Sequence, residues 1–339
     1  MQRRSFRFLV LAALAISVLA VVAVWRGDRE VSHAPSGQRA LPGLADKLAE
    51  LAWLRLTRGP MTVNFAAIDK QWTVVEKGNY PADQDRVRKL LLQLAELELI
   101  EPKTDRAELL ARLDLDDPAN GKSTLVTAQD RAGALVAQLI IGRRRPNDIG
   151  GGDPGVYVRK PDGDQAWLAR GTFELGGDAL AWINRRILDI PPLRIASVVM
   201  TAPDGSAVTV ARRSPDQPFA IDGLPRDARA KDDAALAAPA GALTALNLDD
   251  VKPAAELPIP EDGVATAAFT TFDGLIVGLR LSPSGAGDWI AIDVAGFGKG
   301  EADAKALNAR LSRWSFAIPA DRAKLLRTTL ADLLQPHGS

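Results

Sequence analysis

The chain has 339 residues, in which 42 Lys and Arg side chains balance 42 Asp and Glu side chains. A chain with zero formal net charge has no overall field for nucleic acid, so we expect no nucleic-acid partner. Cysteine is absent, and the two histidines, His33 and His337, lie near the two ends. Thiolate nucleophiles, cysteine-ligated metals and Ser-His-Asp catalysis are therefore excluded, and we expect no cofactor and no metal site.

The N-terminal segment predicts a membrane anchor. Phe8 to Trp25 is apolar except for Ser17. A helix over this segment spans about 27 Å, close to the ~30 Å hydrocarbon core of a bilayer. Arginines lie within residues 1–7, so the positive-inside rule predicts these residues in the cytoplasm and the rest of the chain across the membrane.

Two other interpretations of this segment stay open. One is a cleaved signal peptide, although the apolar run is longer than a usual h-region and no clear cleavage site follows it. The other is a twin-arginine export signal, which Arg3 and Arg4 faintly resemble. We favour a retained anchor over residues 8–25, followed by a polar tether over residues 26–43 that contains Gly, Ser and Pro.

The first folded region is predicted over residues 44–190. Runs of β-branched and aromatic residues separated by turn residues predict strands joined as hairpins. After the helix start at Pro81 and Asp83, apolar residues recur at helical spacing and predict one amphipathic helix. They are Val87, Leu90, Leu91, Leu94 and Leu97.

Two further helices are predicted in the same region. Asp105 and Glu108 form a capping-box pattern before a short apolar run, which predicts a short helix. Asp178 predicts the start of another helix, which continues through Trp182 and Ile187 and ends at Ile190–Pro192.

The second folded region is predicted over residues 191–335, with a short tail over residues 336–339. Hairpins and single strands again alternate with helical segments. The predicted elements include strands at Ile195–Thr201, Val208–Arg212, Ala265–Phe272, Leu275–Leu281 and Trp289–Val294, and a helix at Glu301–Leu311. Many hairpins with interspersed helices predict an α+β fold built mainly from antiparallel sheets.

One motif occurs three times along the chain. An aromatic-led strand is followed by a proline and, two residues after the proline, by an aspartate. The three pairs are Pro81/Asp83, Pro225/Asp227 and Pro319/Asp321. We interpret the motif as a repeated unit of antiparallel strands plus an amphipathic helix. An aspartate before a helix can accept hydrogen bonds from first-turn amides, so Asp83 and Asp321 are predicted N-caps.

The segment from Gly142 to Gly155 is the candidate binding site. It contains three consecutive arginines, Arg143, Arg144 and Arg145, and three consecutive glycines at residues 150–152. Guanidinium groups pair with phosphate or carboxylate, and glycine lets backbone amides approach an anion. The spacing does not match a P-loop. A solvated turn and a contact with an anion or a partner both remain open.

Pairs of adjacent carboxylates are the other candidates for chemistry. They are Asp116/Asp117, Asp232/Asp233 and Asp249/Asp250. All lie at expected helix ends or loops, where aspartate commonly caps or is solvated, so we expect no catalytic residue and no calcium site among them.

Several short motifs resemble those of a bacterial envelope family known only as domain of unknown function 4340. The motifs are Trp72, Tyr80–Asp83, Glu101–Thr104, Leu115–Pro118, Ile141–Arg145, Tyr157–Arg159 and Arg185–Pro191. The resemblance extends over about residues 44–335. It implies a single-pass membrane protein whose gene often neighbours those of an ABC transporter of the gliding-motility auxiliary type. It supplies no catalytic residues.

The sequence therefore predicts a membrane-anchored periplasmic accessory or scaffold protein without enzymatic activity. Its expected partners are the bacterial inner membrane, through residues 8–25, and subunits of an ABC-type transport complex. One alternative is a periplasmic ligand-binding or sensor module that uses the segment Arg143–Gly155. A carboxylate-dependent envelope hydrolase is a further alternative.

Overall fold

The computed structural model describes residues 37–145, 155–285 and 287–336. Within these ranges, no helix is both long enough and apolar enough to cross a bilayer. The predicted anchor over residues 8–25 lies outside the described part of the chain.

The described residues divide into two compact units. The first unit contains the described residues up to Trp72 together with Gln84–Asp178. The second contains Thr73–Asp83 and the described residues from Ala179 onward. The fold is α+β with large antiparallel sheets, as the sequence predicted.

The first sheet has nine strands in the order β4-β3-β2-β1-β6-β7-β8-β9-β5. Its strands are β1 (Leu51–Arg58), β2 (Met61–Ile68), β3 (Gln71–Val74), β4 (Tyr80–Pro81), β5 (Glu98–Pro102), β6 (Thr124–Asp130), β7 (Leu135–Arg145), β8 (Gly155–Arg159) and β9 (Ala166–Arg170). The predicted hairpin β1–β2 is confirmed, and Leu54 on β1 lies opposite Phe65 on β2.

The second unit contains an eight-stranded sheet in the order β13-β12-β11-β16-β17-β18-β19-β15, and β10 pairs separately with β14. These strands are β10 (Arg186–Leu188), β11 (Ile195–Thr201), β12 (Ala207–Ala211), β13 (Ala220–Ile221), β14 (Leu246–Asn247), β15 (Asp250–Pro253), β16 (Ala265–Thr271), β17 (Leu275–Ser284), β18 (Gly287–Gly296) and β19 (Trp314–Ile318). The hairpins predicted at β11–β12 and β16–β17 are confirmed.

The helices are α1 (Leu44–Lys47), α2 (Gln84–Glu96), α3 (Ala107–Leu110), α4 (Asp233–Ala237), α5 (Glu301–Leu311), α6 (Ala320–Leu326) and α7 (Leu330–Leu333). Short 3₁₀ helices cover Leu48–Glu50, Val75–Lys77, Ala111–Leu113, Pro118–Asn120, Ala179–Trp182, Pro192–Arg194, Ala238–Gly241 and Gly298–Gly300.

Helix α2 confirms the predicted apolar stripe. Its inward face buries Val87, Leu90, Leu91 and Leu94. Burial of each such side chain contributes about 1.5–3 kcal/mol. The helix therefore depends on core packing along one face more than on intrinsic propensity.

The two large sheets share one strand order. Leaving β4 aside, each sheet has, in spatial order, a short outer strand, a hairpin, three central strands and the strand that comes last in the chain. That strand pairs antiparallel with an edge strand from earlier in the chain, which is β5 in the first sheet and β15 in the second. Each sheet also has a register shift in its first strand, between Leu51 and Trp53 in β1 and between Ile195 and Ser197 in β11.

Two predicted helices differ from the structure. Helix α3 begins at Ala107 with Arg106 at its N-cap, and no side chain caps it, so the predicted capping box of Asp105 and Glu108 is wrong. The helix predicted from Asp178 to Ile187 is a 3₁₀ helix that ends at Trp182. Ile187 instead lies in β10 and is fully buried, because strand pairing and burial outweigh local helix propensity there.

The three proline–aspartate motifs have three different structures. Asp83 directly precedes α2, at the predicted N-cap position. Asp321 is the second residue of α6, whose N-cap is the extended Pro319, so its predicted role as an N-cap is wrong. Asp227 does not start a helix, because the chain forms a turn in which the amide of Ala228 donates to the carbonyl of Pro225.

Candidate functional site

The three arginines lie at the end of a strand and not in a loop. Strand β7 continues through Arg145, and Arg144 and Arg145 pair with Val156 and Gly155 on β8. The predicted loop is therefore shorter than the sequence indicated. The three glycines at residues 150–152 lie outside the described part of the chain.

A β-bulge sets the directions of these arginines. The register between β7 and β8 shifts between Ile141 and Arg144. In a regular strand, consecutive side chains point to opposite faces, whereas a bulge redirects a side chain locally. Here Arg143 and Arg144 are both exposed and both line one cavity.

Gly142 marks the position where the bulged strand meets other backbone. A Cβ atom at Gly142 would lie 2.4 Å from the carbonyl oxygen of Leu113 and 2.6 Å from that of Asp114. Contacts this short do not occur for real Cβ atoms, so only glycine fits at this position. At the bulge, the strand therefore passes close to the turn that contains Asp114.

The cavity lies within the first unit and has a volume of about 530 Å³. We call it the basic cleft and define it by its cationic side chains, which are Arg58, Arg86, Lys122, Arg143 and Arg144. Two carboxylates, Asp114 and Glu174, also line it. Among the described residues, the cleft therefore has an excess of three positive charges.

Backbone carbonyl groups position two of the cations. The Nε atom of Arg58 donates to the carbonyl of Gly121 at 2.9 Å. One terminal nitrogen of Arg86, on α2, lies 3.2 Å from the carbonyls of Glu174 and Gly176. A carbonyl group carries no net charge, so these contacts orient the two guanidinium groups and add no negative charge to the cleft.

The remaining cations of the cleft are Lys122, Arg143 and Arg144. Arg143 lies over the ring of Tyr157, with 5.8 Å between the guanidinium carbon and the ring centroid. Within the part of the chain that the structure describes, no carboxylate forms an ion pair with Lys122, Arg143 or Arg144. Like charges close together repel, and a bound anion would relieve that repulsion.

Sequence reasoning missed three of the five cations. Arg58 ends β1, Arg86 lies in the first turn of α2 and Lys122 precedes β6, so the three are far apart in the chain. No local motif connects them, because strand pairing brings their segments together. Gly142 was the one local signal of the bulge, since an isolated glycine in a strand often marks a bulge or a close backbone approach.

Four of the paired aspartates make local structural contacts. Asp117 accepts a hydrogen bond from the amide of Ala119 and caps a 3₁₀ helix, and Asp232 caps α4 through the amide of Ala235. Asp249 pairs with Arg185 at 3.0 Å, and Asp250 pairs with Lys77 at 2.7 Å. No group of three metal-ligating side chains occurs within the described ranges.

Comparison with known proteins gives one match. A family model described as Domain of unknown function (DUF4340) matches residues 72–260, which is more than half of the chain. The matched range includes every cation of the basic cleft except Arg58. No curated protein and no solved structure matches the chain.

Proposed function

This chain belongs to the DUF4340 family, and from that premise we propose that it is a membrane-anchored periplasmic accessory or scaffold protein that works with an ABC-type transport complex. The observation that carries the proposal is the pair of antiparallel sheets with one strand order, preceded in the sequence by an apolar segment over residues 8–25. We further propose that the two sheets are copies of one repeated unit, and that the protein has no enzymatic activity.

The anchor and tether support a role at the membrane surface. Residues 8–25 form a retained transmembrane helix in this proposal, and a flexible tether follows it. The tether is shorter than the predicted residues 26–43, because the amides of Gly37 and Ala40 donate to the carbonyls of Leu99 and Leu97, and Ala40 and Leu41 are buried. A tether of this length keeps the folded region within about 20 Å of the bilayer. An accessory protein that contacts a transporter requires such proximity, whereas a diffusible periplasmic carrier does not.

Purification from native membranes in a mild neutral detergent tests the transport association. We expect the tagged full chain to retain ABC transporter subunits. The matched variant replaces Arg143, Arg144 and Arg145 with Ser, and the control replaces the exposed Arg226 and Arg229 with Ser. If the wild-type chain stays folded but retains no transporter subunit, the proposed association is wrong.

A reporter fusion tests the topology independently. Alkaline phosphatase, which is active only outside the cytoplasm, is fused after Ser339. We expect an active fusion, because the arginines in residues 1–7 hold the N-terminus in the cytoplasm. Activity of a cytoplasmic reporter at the same position would contradict the proposed topology.

The basic cleft favours a second candidate function, a periplasmic ligand-binding or sensor module. The cleft has the volume of a small-molecule site, and its lining is cationic. A solute that copurifies with the wild-type chain and is lost from the Arg143/Arg144/Arg145 variant would favour this function over a scaffold without a ligand.

A further inference from the structure

We propose that the basic cleft binds the phosphate group of a small organic ligand. The inference rests on the ligand-binding candidate described above and names the chemical class of its ligand. The phosphate group would lie between the bulged end of β7, which carries Arg143 and Arg144, and Lys122.

The charge of the cleft selects a multivalent anion. Its described lining has an excess of three positive charges. A single carboxylate carries one negative charge and would leave most of that excess in place. A phosphate monoester carries about 1.5–2 negative charges near neutral pH and presents three acceptor oxygens. Arginine forks match such an oxygen set in charge and in geometry.

The geometry of the cleft is prepared in advance of binding. The backbone contacts of Arg58 and Arg86 place two guanidinium groups on its walls. The bulge at Gly142 brings two consecutive arginines to the same cavity, which a regular strand would not do. Side chains that are already oriented lose less conformational entropy when a ligand binds.

The volume indicates a ligand larger than a free phosphate ion. About 530 Å³ lies within the usual range of small-molecule sites, roughly 300–1,000 Å³. The buried side chain of Phe173 and the partly buried Leu175 add apolar lining beside the cations. A phosphate attached to an organic group uses both kinds of lining, and that group can belong to a soluble metabolite or to a lipid headgroup.

Calorimetric titration with inorganic pyrophosphate tests the proposal on the full chain in a neutral detergent. We expect the wild type to bind pyrophosphate with an affinity that falls as salt is added. The variant Arg143→Ser/Arg144→Ser should bind at least about tenfold more weakly, because charge-assisted hydrogen bonds are lost. The control Arg226→Ser/Arg229→Ser removes the same charge from an exposed segment of the second unit and should bind as the wild type does.

Denaturant unfolding of each variant checks that the fold is retained. If the double arginine variant does not fold, Lys122→Gln repeats the test, because Lys122 is exposed and lies outside any strand. We expect a severalfold loss of affinity for that variant. Absence of pyrophosphate binding to the wild type, or equal binding by a folded cleft variant, would overturn the proposal.

Reconstitution separates the two sources of the phosphate group. The chain is placed in vesicles that contain phosphatidic acid, whose headgroup is a phosphate monoester, and in vesicles of matched surface charge that contain phosphatidylglycerol, a phosphodiester. Equal pyrophosphate affinity in both supports a soluble ligand, and weaker affinity with phosphatidic acid supports a competing headgroup. The transporter purification described above uses no pyrophosphate, so failure of the ligand proposal and failure of the proposed association give separate results.

Discussion

Strands β7 and β17 occupy the same place in their two sheets, but their ends differ. The pairing of β17 with β18 continues without a shift from Leu275 opposite Gly296 to Ser284 opposite Gly287. The pairing of β7 with β8 shifts after Ile141 and resumes at Arg144. The shared strand order therefore does not specify a cleft, because the two sheets differ in register at this strand and bulges redirect side chains locally.

The cores of the two sheets differ in residue type at corresponding positions but are packed alike. In the first sheet, Leu54 lies between Phe65 and Ala128 on its neighbouring strands. In the second sheet, Val198 lies in the corresponding row between Val210 and Phe269. Each row buries one phenylalanine, but on opposite neighbours. Cores tolerate such exchanges when the total volume is kept.

The corresponding turns are also stabilised by different side chains. Between β6 and β7, the carboxylate of Asp130 accepts hydrogen bonds from the amides of Ala132 and Ala134. Between β16 and β17, the hydroxyl of Thr271 accepts from the amide of Leu275 and donates to Asp273. The corresponding turn is thus stabilised by one carboxylate in the first sheet and by a hydroxyl and a carboxylate in the second.

The largest expected effect tests the matched core rows. Phe65→Ala and Phe269→Ala should each lower the free energy of unfolding by about 3–5 kcal/mol, because each leaves a cavity in a fully buried row. Denaturant unfolding of the full chain measures both variants. Phe297→Ala is the control, with 61% of its surface exposed and an expected change within about 0.5 kcal/mol. A small effect at only one of the two buried positions would show that the two rows contribute unequally to the free energy of unfolding.

The bulge gives the next largest effect. Gly142→Ala should destabilise the chain by about 2 kcal/mol, because the added Cβ atom meets two backbone carbonyls. The matched control is Gly278→Ala on β17, where the nearest atom to an added Cβ, the carbonyl oxygen of Asp293, is 3.6 Å away. Unfolding curves compare the two variants. Equal stabilities would mean that the bulge does not require glycine.

Helix capping gives a smaller effect. Asp232→Ala should cost about 1 kcal/mol, because the carboxylate accepts from the amide of Ala235 at 2.9 Å at the start of α4. Asp321→Ala should cost less, about 0.3–0.5 kcal/mol, because Asp321 is inside the first turn of α6. There it contributes through the helix dipole and through an exposed ion pair with Arg322 at 3.7 Å. Denaturation midpoints measure the difference, and a larger loss at Asp321 would restore its predicted N-cap role.

The smallest expected effect concerns pH and the turn of the second sheet. The hydroxyl of Thr271 and then the guanidinium of Arg194, at 2.5 Å, lower the pKa of Asp273 below its ordinary value. A lowered folded-state pKa contributes stability above the unfolded pKa and loses it as the pH falls through the folded pKa.

Asp273→Asn removes this contribution. The unfolding free energy of the wild type should therefore fall further than that of the variant between neutral pH and a pH of about 3, by at most ~1 kcal/mol for a partly exposed pair. Unfolding at both pH values measures the difference. Parallel losses in the two proteins would show that Asp273 does not contribute to acid sensitivity.

Local patterns in the sequence determined most of the secondary structure. The apolar stripe of α2 and the hairpin around Gly59 were predictable, because helical periodicity and turn conformations depend on neighbouring residues. Family membership was likewise recognisable from short motifs. Asp321 marks the limit of this reasoning: an aspartate near a helix start is visible in sequence, but its offset from the first helical residue is not.

Only the tertiary structure decided the shared strand order and the basic cleft. The order depends on pairings such as β5 with β9, which join segments far apart in the chain. The cleft depends on the same pairings, because they bring Arg58 on β1 and Arg86 on α2 to the cavity that the end of β7 also lines. Its arginines are visible in the sequence, but their shared direction is not. That direction follows from the bulge beside Gly142, where the strand also meets the carbonyls of a turn distant in the chain.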